Sequence, residues 1–223
     1  MFQFLRELFS ADNLLKEAFD ASADMLREDY IMFEESVRSL RHSGSSELKF
    51  DIYAADKKIN KYEREVRRMV LTQLSVSRPA DVSPGLILIS VVSDVERIGD
   101  YTKNIYELAT AHPKQLAGLQ YEERLCEVEK VITDRFEQVA QAYTKSDEAL
   151  ATQLMTDHKN ISGWCDLVNK ELIISPPEGF AVGDAVTLAL YVRFLKRISS
   201  HLTNIVSSVV NPFPRIGYRA KEK

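Results

Sequence analysis

Ser93–Leu108 reads SDVERIGDYTKNIYEL, and Arg193–Ser208 reads RFLKRISSHLTNIVSS. The two stretches align without a gap. Arg97 falls on Arg197, Ile98 on Ile198, and Asn104-Ile105 on Asn204-Ile205, an offset of 197 − 97 = 100 residues. A repeat that long duplicates a whole subdomain rather than a short solenoid unit. The polar half of the motif survives only in the first copy: Glu96 becomes Lys196 and Asp100 becomes Ser200. The two halves therefore share a backbone plan and differ in chemistry.

The seam running through the first stretch, Val91, Val95, Ile98, Thr102, Ile105 and Leu108, recurs at three- and four-residue steps. That is the seam of a helix packed lengthwise on others. The same spacing predicts helices over about 13–41, 47–74, 84–111, 121–143, 147–173 and 183–210. The breaks between them are marked by His42-Ser-Gly-Ser-Ser46, by two prolines in 77–84, by His112-Pro113 and by Ser175-Pro-Pro-Glu-Gly179. Asp12 or Asn13, and Ser45 or Ser46, are placed to cap the first two helices, and Pro84 suits a first helical turn. Alternating β-type runs are nearly absent. The expected fold is all-α, with two tandem antiparallel three-helix bundles related by the internal repeat, over 1–114 and 115–223.

Composition narrows the class. The chain has 223 residues, 45% hydrophobic and 28% charged, enough for a core and a wetted surface. A net charge of −4 argues against a protein that mainly grips nucleic acid. Cys126 and Cys165 have no metal-finger spacing. In helices of apolar pattern both read as inert core thiols, consistent with a reducing cytoplasm. The longest apolar run, 86–92, is far below the roughly 20 residues of a membrane span, and MFQFLRELF lacks the apolar core of a signal peptide. A cytoplasmic location is expected. Phe2, Phe4, Leu5, Leu8 and Phe9 form a short amphipathic lead-in that either packs on the bundle or makes a peripheral membrane contact.

Chemistry is concentrated on two polar stripes beside the apolar seams. Glu96, Asp100 and Asn104 lie four apart on the third helix; Asp56, Asn60 and Glu63, four and three apart, make a similar stripe on the second. Facing each other, they make a cluster of oxygen donors suited to Mg, Mn or ferric iron. Carboxylates crowded together without a cation repel. The same residues also read as an ordinary ion-paired face, with Glu96 pairing to Arg97 or Lys103. None of the four histidines has a Glu three residues before it, which argues against a di-iron oxidase, and no phosphate loop or hydrolase motif is present. His201, standing where the first half has Tyr101, reads as a surface or satisfied histidine, and Trp164 as core or partner contact.

Asp94-Val-Glu-Arg-Ile-Gly-Asp100 followed by Asn104-Ile105, together with Asp56-Lys-Lys-Ile59-Asn60-Lys-Tyr-Glu63, resembles the signatures of the PhoU family of phosphate-uptake regulators. The order of the two motifs and the long duplication match as well, so the likeness spans nearly the whole chain. The resemblance implies side-by-side three-helix bundles and a regulatory, non-catalytic role with a membrane phosphate or ion transporter, a sensor kinase, or both. A homodimer is within the family's range. It also implies a metal (Fe, Mn, Zn or Mg) on the first bundle, held by Asp56, Asn60, Glu96 and Asp100. Asn60 stands where the family's pattern has a carboxylate. The second half departs from that pattern: Lys196 and Ser200 cannot ligate a cation as carboxylates, and Lys196 is expected to pair internally with Asp157. Two alternatives stay open, a metal-dependent enzyme or metal store, and a metal-free helical adaptor.

Overall fold

A computed structural model describes residues 14–43, 49–76, 82–112 and 114–218, and among these there are six long helices and no strand. They are α1 (Leu14–Arg38), α2 (Ile52–Val76), α3 (Val82–Ala111), α4 (Glu122–Lys145), α5 (Glu148–Ile174) and α6 (Val182–Val210). A π-helical turn at Ser39–Ser43 prolongs α1. Helices α1, α2 and α3 pack on one another, as do α4, α5 and α6, so two three-helix bundles lie side by side.

The expected seams are the buried ones. Val91, Val95, Ile98, Thr102 and Ile105 of α3 are buried, and so are Leu188, Val192, Leu195, Ile198, Leu202, Ile205 and Val209 of α6. Buried apolar side chains from all six helices form one continuous cluster, in which a Val, Leu, Ile, Phe or Met contributes about 1.5–3 kcal/mol when fully removed from water. Most helix ends fall within one or two residues of the expected ones, but α2 starts about five residues late. Its start is set by Asp51, whose Oδ1 accepts from the backbone N–H of Tyr53 (2.9 Å) and Ala54 (3.1 Å). Helix α5 is capped by Asp147 in the same way, through Leu150 N at 3.0 Å. Pro84 sits inside the first turn of α3, which begins at Val82. The proposed caps Asp12, Asn13, Ser45 and Ser46, and the lead-in from Phe2 to Phe9, lie outside the described residues.

The bundles meet through α3 against α6 and α1 against α4. At the first interface the contacts are reciprocal. Tyr101 stacks on His201, its own repeat partner, with ring centroids 5.7 Å apart. On one side Asp94 Oδ1 accepts from His201 Nδ1 (2.7 Å) and Asn204 Nδ2 (2.9 Å). On the other, Phe194, the repeat partner of Asp94, packs on Tyr101 at 5.9 Å. Residue i of one half thus meets residue j of the other, and j meets i, the signature of a local two-fold relation. His201 is a satisfied interface histidine.

The second interface carries a buried polar knot. Arg41, at the end of α1, donates from Nε to Glu129 Oε1 (2.8 Å), from Nη2 to Glu122 Oε1 (2.5 Å) and from Nη1 to the carbonyl of Leu116. Tyr191 Oη donates to the same Glu129 oxygen at 2.7 Å. Burial disfavours the Arg41 charge, but Glu122 and Glu129 outweigh it and raise its pKa. Further along the same α1–α4 interface Phe33 packs on Phe136 at 5.3 Å and Phe19 stacks on Tyr143 at 4.5 Å. No helix among the described residues is long and apolar enough to cross a membrane. Cys165 is buried, as its helix pattern implies, whereas Cys126 is exposed: it lies beside the seam of α4, not on it.

Candidate functional site: an acidic cluster in the first bundle

The stripes of α2 and α3 do meet, and a lysine ties them. Lys103 Nζ donates to Asp56 Oδ1 at 2.9 Å and to Asp100 Oδ1 at 3.1 Å. Asn60 Nδ2 donates to Asp56 Oδ2 at 3.3 Å, so Asn60 orients the carboxylate beside it. Burial lowers the Lys103 pKa, yet the two carboxylates reverse the effect and leave it raised. Glu96, one turn before Asp100, takes only a loose contact to its neighbour Arg97 at 3.7 Å. Burial first, then Asp100 and Glu63, push its pKa up. Glu63 is engaged by Arg67 at 2.7 Å.

The central residue of the cluster escaped the sequence reading. Asp29 of α1 is 0% exposed, and neither of its carboxylate oxygens has a hydrogen-bond partner. Its pKa is raised well above the ordinary carboxylate range, by burial first and then by Glu96, Asp56, Glu28 and Asp100. The close approach of α1 to α3 depends on Gly99: a Cβ there would lie 2.8 Å from Asp29 Oδ1. The missing side chain in the signature thus makes room for the acid behind it. The signal was legible. Asp29 sits on the α1 seam between Leu26 and Phe33, where every neighbouring step is apolar.

Four carboxylates, Asp29, Asp56, Glu96 and Asp100, therefore lie within one another's fields, and one ammonium, Lys103, pairs with two of them, Asp56 and Asp100. A buried acid without a partner, against a set still short of positive charge, has the donor chemistry of a site for an oxygen-preferring cation. As the side chains stand, no three Asp, Glu, His or Cys groups among the described residues converge on a single metal position. A metal would have to take the place of the Lys103 ammonium.

A family model described as "PhoU domain" matches residues 22–109, which spans α1, α2 and α3 almost end to end. Residues 22–109 thus match a PhoU domain, and beyond them the likeness is one of fold. It is 24% identical over 170 residues to the phosphate-specific transport system accessory protein PhoU homolog of Caulobacter vibrioides, covering 71% of this chain and 70% of that protein. The crystal structure of the phosphate transport system regulatory protein PhoU from Streptococcus pneumoniae superposes with a TM-score of 0.75 at 19% identity, over 88% of this chain and 93% of that one. PhoU from Pseudomonas aeruginosa gives 0.79 at 20% identity, over 88% and 95%. At such identities the two structures establish the PhoU fold across both bundles. The family match lies on the half that keeps its carboxylates.

Among the described residues the second half lacks an equivalent cluster, for the reason the substitutions imply. Lys196 is not paired with Asp157, however. Its Nζ holds Asp166 at 2.6 Å, because the register of α5 against α6 brings Asp166 opposite it. Asp157 is left exposed.

Proposed function

We propose that this chain is a non-enzymatic accessory regulator of phosphate transport in the cytoplasm, working by contact with a membrane transporter or its sensor kinase. In this reading residues 1–114 carry the regulatory site and residues 115–223 a diverged partner bundle. The PhoU-domain match over 22–109 supports the biological setting, and the names of the relatives point to phosphate transport. The observation that carries the site is Asp29, a fully buried acid with no hydrogen-bond partner, facing Asp56, Glu96 and Asp100.

We infer further that this cluster takes a divalent or ferric cation, with Asp29, Asp56, Glu96 and Asp100 as ligands and Asn60 orienting Asp56. Cation binding would release Lys103 from Asp56 and Asp100 and put a free ammonium on the bundle surface. The charge pattern offered to a partner would change accordingly.

The test is complementation. Phosphate uptake is measured in cells lacking the chain and supplied with either the wild type or the Asp56→Asn, Glu96→Gln, Asp100→Asn triple variant. The wild type should restrain uptake and the triple variant should not, with helicity by circular dichroism equal in the two. Full restraint by a well-folded triple variant would overturn the role of the cluster. No effect of the wild type would overturn the phosphate reading.

A further inference from the structure

The second bundle repeats the geometry of the acidic site with the charge reversed. At the 100-residue offset Glu96 becomes Lys196, Gly99 becomes Ser199, Asp100 becomes Ser200 and Lys103 becomes Thr203. The helix facing this stretch changes in the same sense. In the first bundle Asp29 of α1 lies buried against Gly99; in the second, Arg135 of α4 is 1% exposed and donates from Nη2 to Thr203 Oγ1 at 2.9 Å. Its Nε and Nη1 have no hydrogen-bond partner.

His158 of α5 stands in the same group. Its Nδ1 lies 2.9 Å from Ser199 Oγ and its Nε2 3.4 Å from Ser200 Oγ. Burial first, then the charges of Arg135 and Lys196, push the imidazole down to about 4, so it is a neutral donor at neutral pH. Burial pulls Arg135 down to about 10, which leaves it a cation. No carboxylate among the described residues forms an ion pair with Arg135. Asp166 is taken by Lys196, and Asp157 acts on the guanidinium only through its field.

A buried cation with idle N–H groups carries a desolvation cost that an unoccupied state does not offset. The guanidinium is a planar fork whose paired N–H groups match two oxygens of one anion. We propose that the second bundle binds a small tetrahedral oxyanion, with Arg135 as its charged ligand and His158 as a neutral donor; the hydroxyls of Ser200 and Thr203, which donate to the carbonyls of Lys196 (2.9 Å) and Ser199 (2.7 Å), turn to the anion when it binds. The partly exposed His158, Ser200 and Thr203 connect the cluster to water. Lys196 adds positive potential without direct contact. The two bundles then use the same stretch of their last helix, 96–103 and 196–203, for ligands of opposite sign. The inference goes beyond the phosphate-transport reading and stands without it, since sulfate satisfies the chemistry as well as phosphate.

The full chain tests it. Thermal unfolding is followed in inorganic phosphate or sulfate against sodium chloride of equal ionic strength. Either oxyanion should raise the midpoint in a saturable way, equally for the wild type and for Asp29→Asn. Arg135→Lys should weaken the apparent affinity about tenfold or more, the loss of one charge-assisted hydrogen bond. An oxyanion effect no larger than that of chloride, or one that Arg135→Lys leaves unchanged, overturns the proposal. Should Arg135→Lys fail to fold, the imidazole signal of His158 in wild-type protein decides: a saturable shift on adding phosphate upholds the site, and an unchanged signal overturns it.

Discussion

Replacing Asp29 with Asn should change how the stability of the chain depends on pH, and the slope can be worked out from its environment. In the unfolded chain an aspartate ionises near pH ~3.9. In the fold Asp29 is fully buried without a partner and its pKa is raised, so the carboxyl stays protonated to higher pH. Below the unfolded pKa both states hold the proton and Asp29 has no pH effect. As pH rises, the unfolded state releases the proton and the folded state keeps it, so stability falls until the folded pKa is passed. Each pH unit in that window removes about 1.4 kcal/mol. Asn has the same shape and no titration. Its buried amide costs a constant amount, roughly 1–3 kcal/mol, which shifts the curve without tilting it. Urea unfolding of chelator-treated protein from pH 4 to pH 8 should show the wild type losing stability relative to Asp29→Asn by that slope. A difference between the two that stays constant with pH would refute the reasoning, because Asp29 would then be ionised and paired in the fold. A bound cation reverses the sign by holding Asp29 ionised, so adding Mn should flatten the wild-type curve and leave the variant untouched.

Arg41→Met removes one side of a buried pair and leaves Glu129 uncompensated between the bundles; a loss of about 3–5 kcal/mol in urea unfolding is expected, and a change below about 1 kcal/mol would show the knot to be dispensable. Gly99→Ala places a methyl 2.8 Å from Asp29 Oδ1. It should destabilise by about 1–3 kcal/mol, and Asp29→Ala in the same chain should recover most of that loss; strict additivity would contradict the contact. Cys126 is exposed and Cys165 is buried with its thiol pushed up to about 12, by burial first. A thiol reagent at neutral pH should modify one cysteine quickly and the second only on unfolding; two fast equivalents would contradict the packing of α5.

The helices were legible because a seam of three- and four-residue steps is a direct projection of lengthwise packing. The repeat was legible because Arg97, Ile98, Asn104 and Ile105 return at one offset. The reciprocity of the α3–α6 contact was not, since nothing in either stretch says that Tyr101 will stack on His201 instead of on its own bundle. At the site, Asp56, Asn60 and Asp100 lie together as their stripes imply, and of the two partners offered for Glu96 it is Arg97 that lies beside it, while Lys103 holds Asp56 and Asp100. Ion pairing is decided by register between helices, which spacing along one helix does not reveal. The same cause moved Lys196 from Asp157 to Asp166. Asp29 and Arg135 share a different cause. Each is a charged residue on an apolar seam, and a reading that searches polar stripes passes over the charges that matter most, those the core has to accommodate.

The claim on which the account turns is that the acidic cluster of the first bundle holds a cation. Elemental analysis of the purified full chain, beside a Glu96→Ala, Asp100→Ala double variant, tests it directly. Stoichiometric iron, manganese, zinc or magnesium in the wild type, lost from a variant of unchanged helicity, is the predicted result. Absence of metal from both folded proteins, with the wild type taking up none on dialysis against each ion, would contradict it and leave Lys103 and protons as the only positive charge the cluster holds.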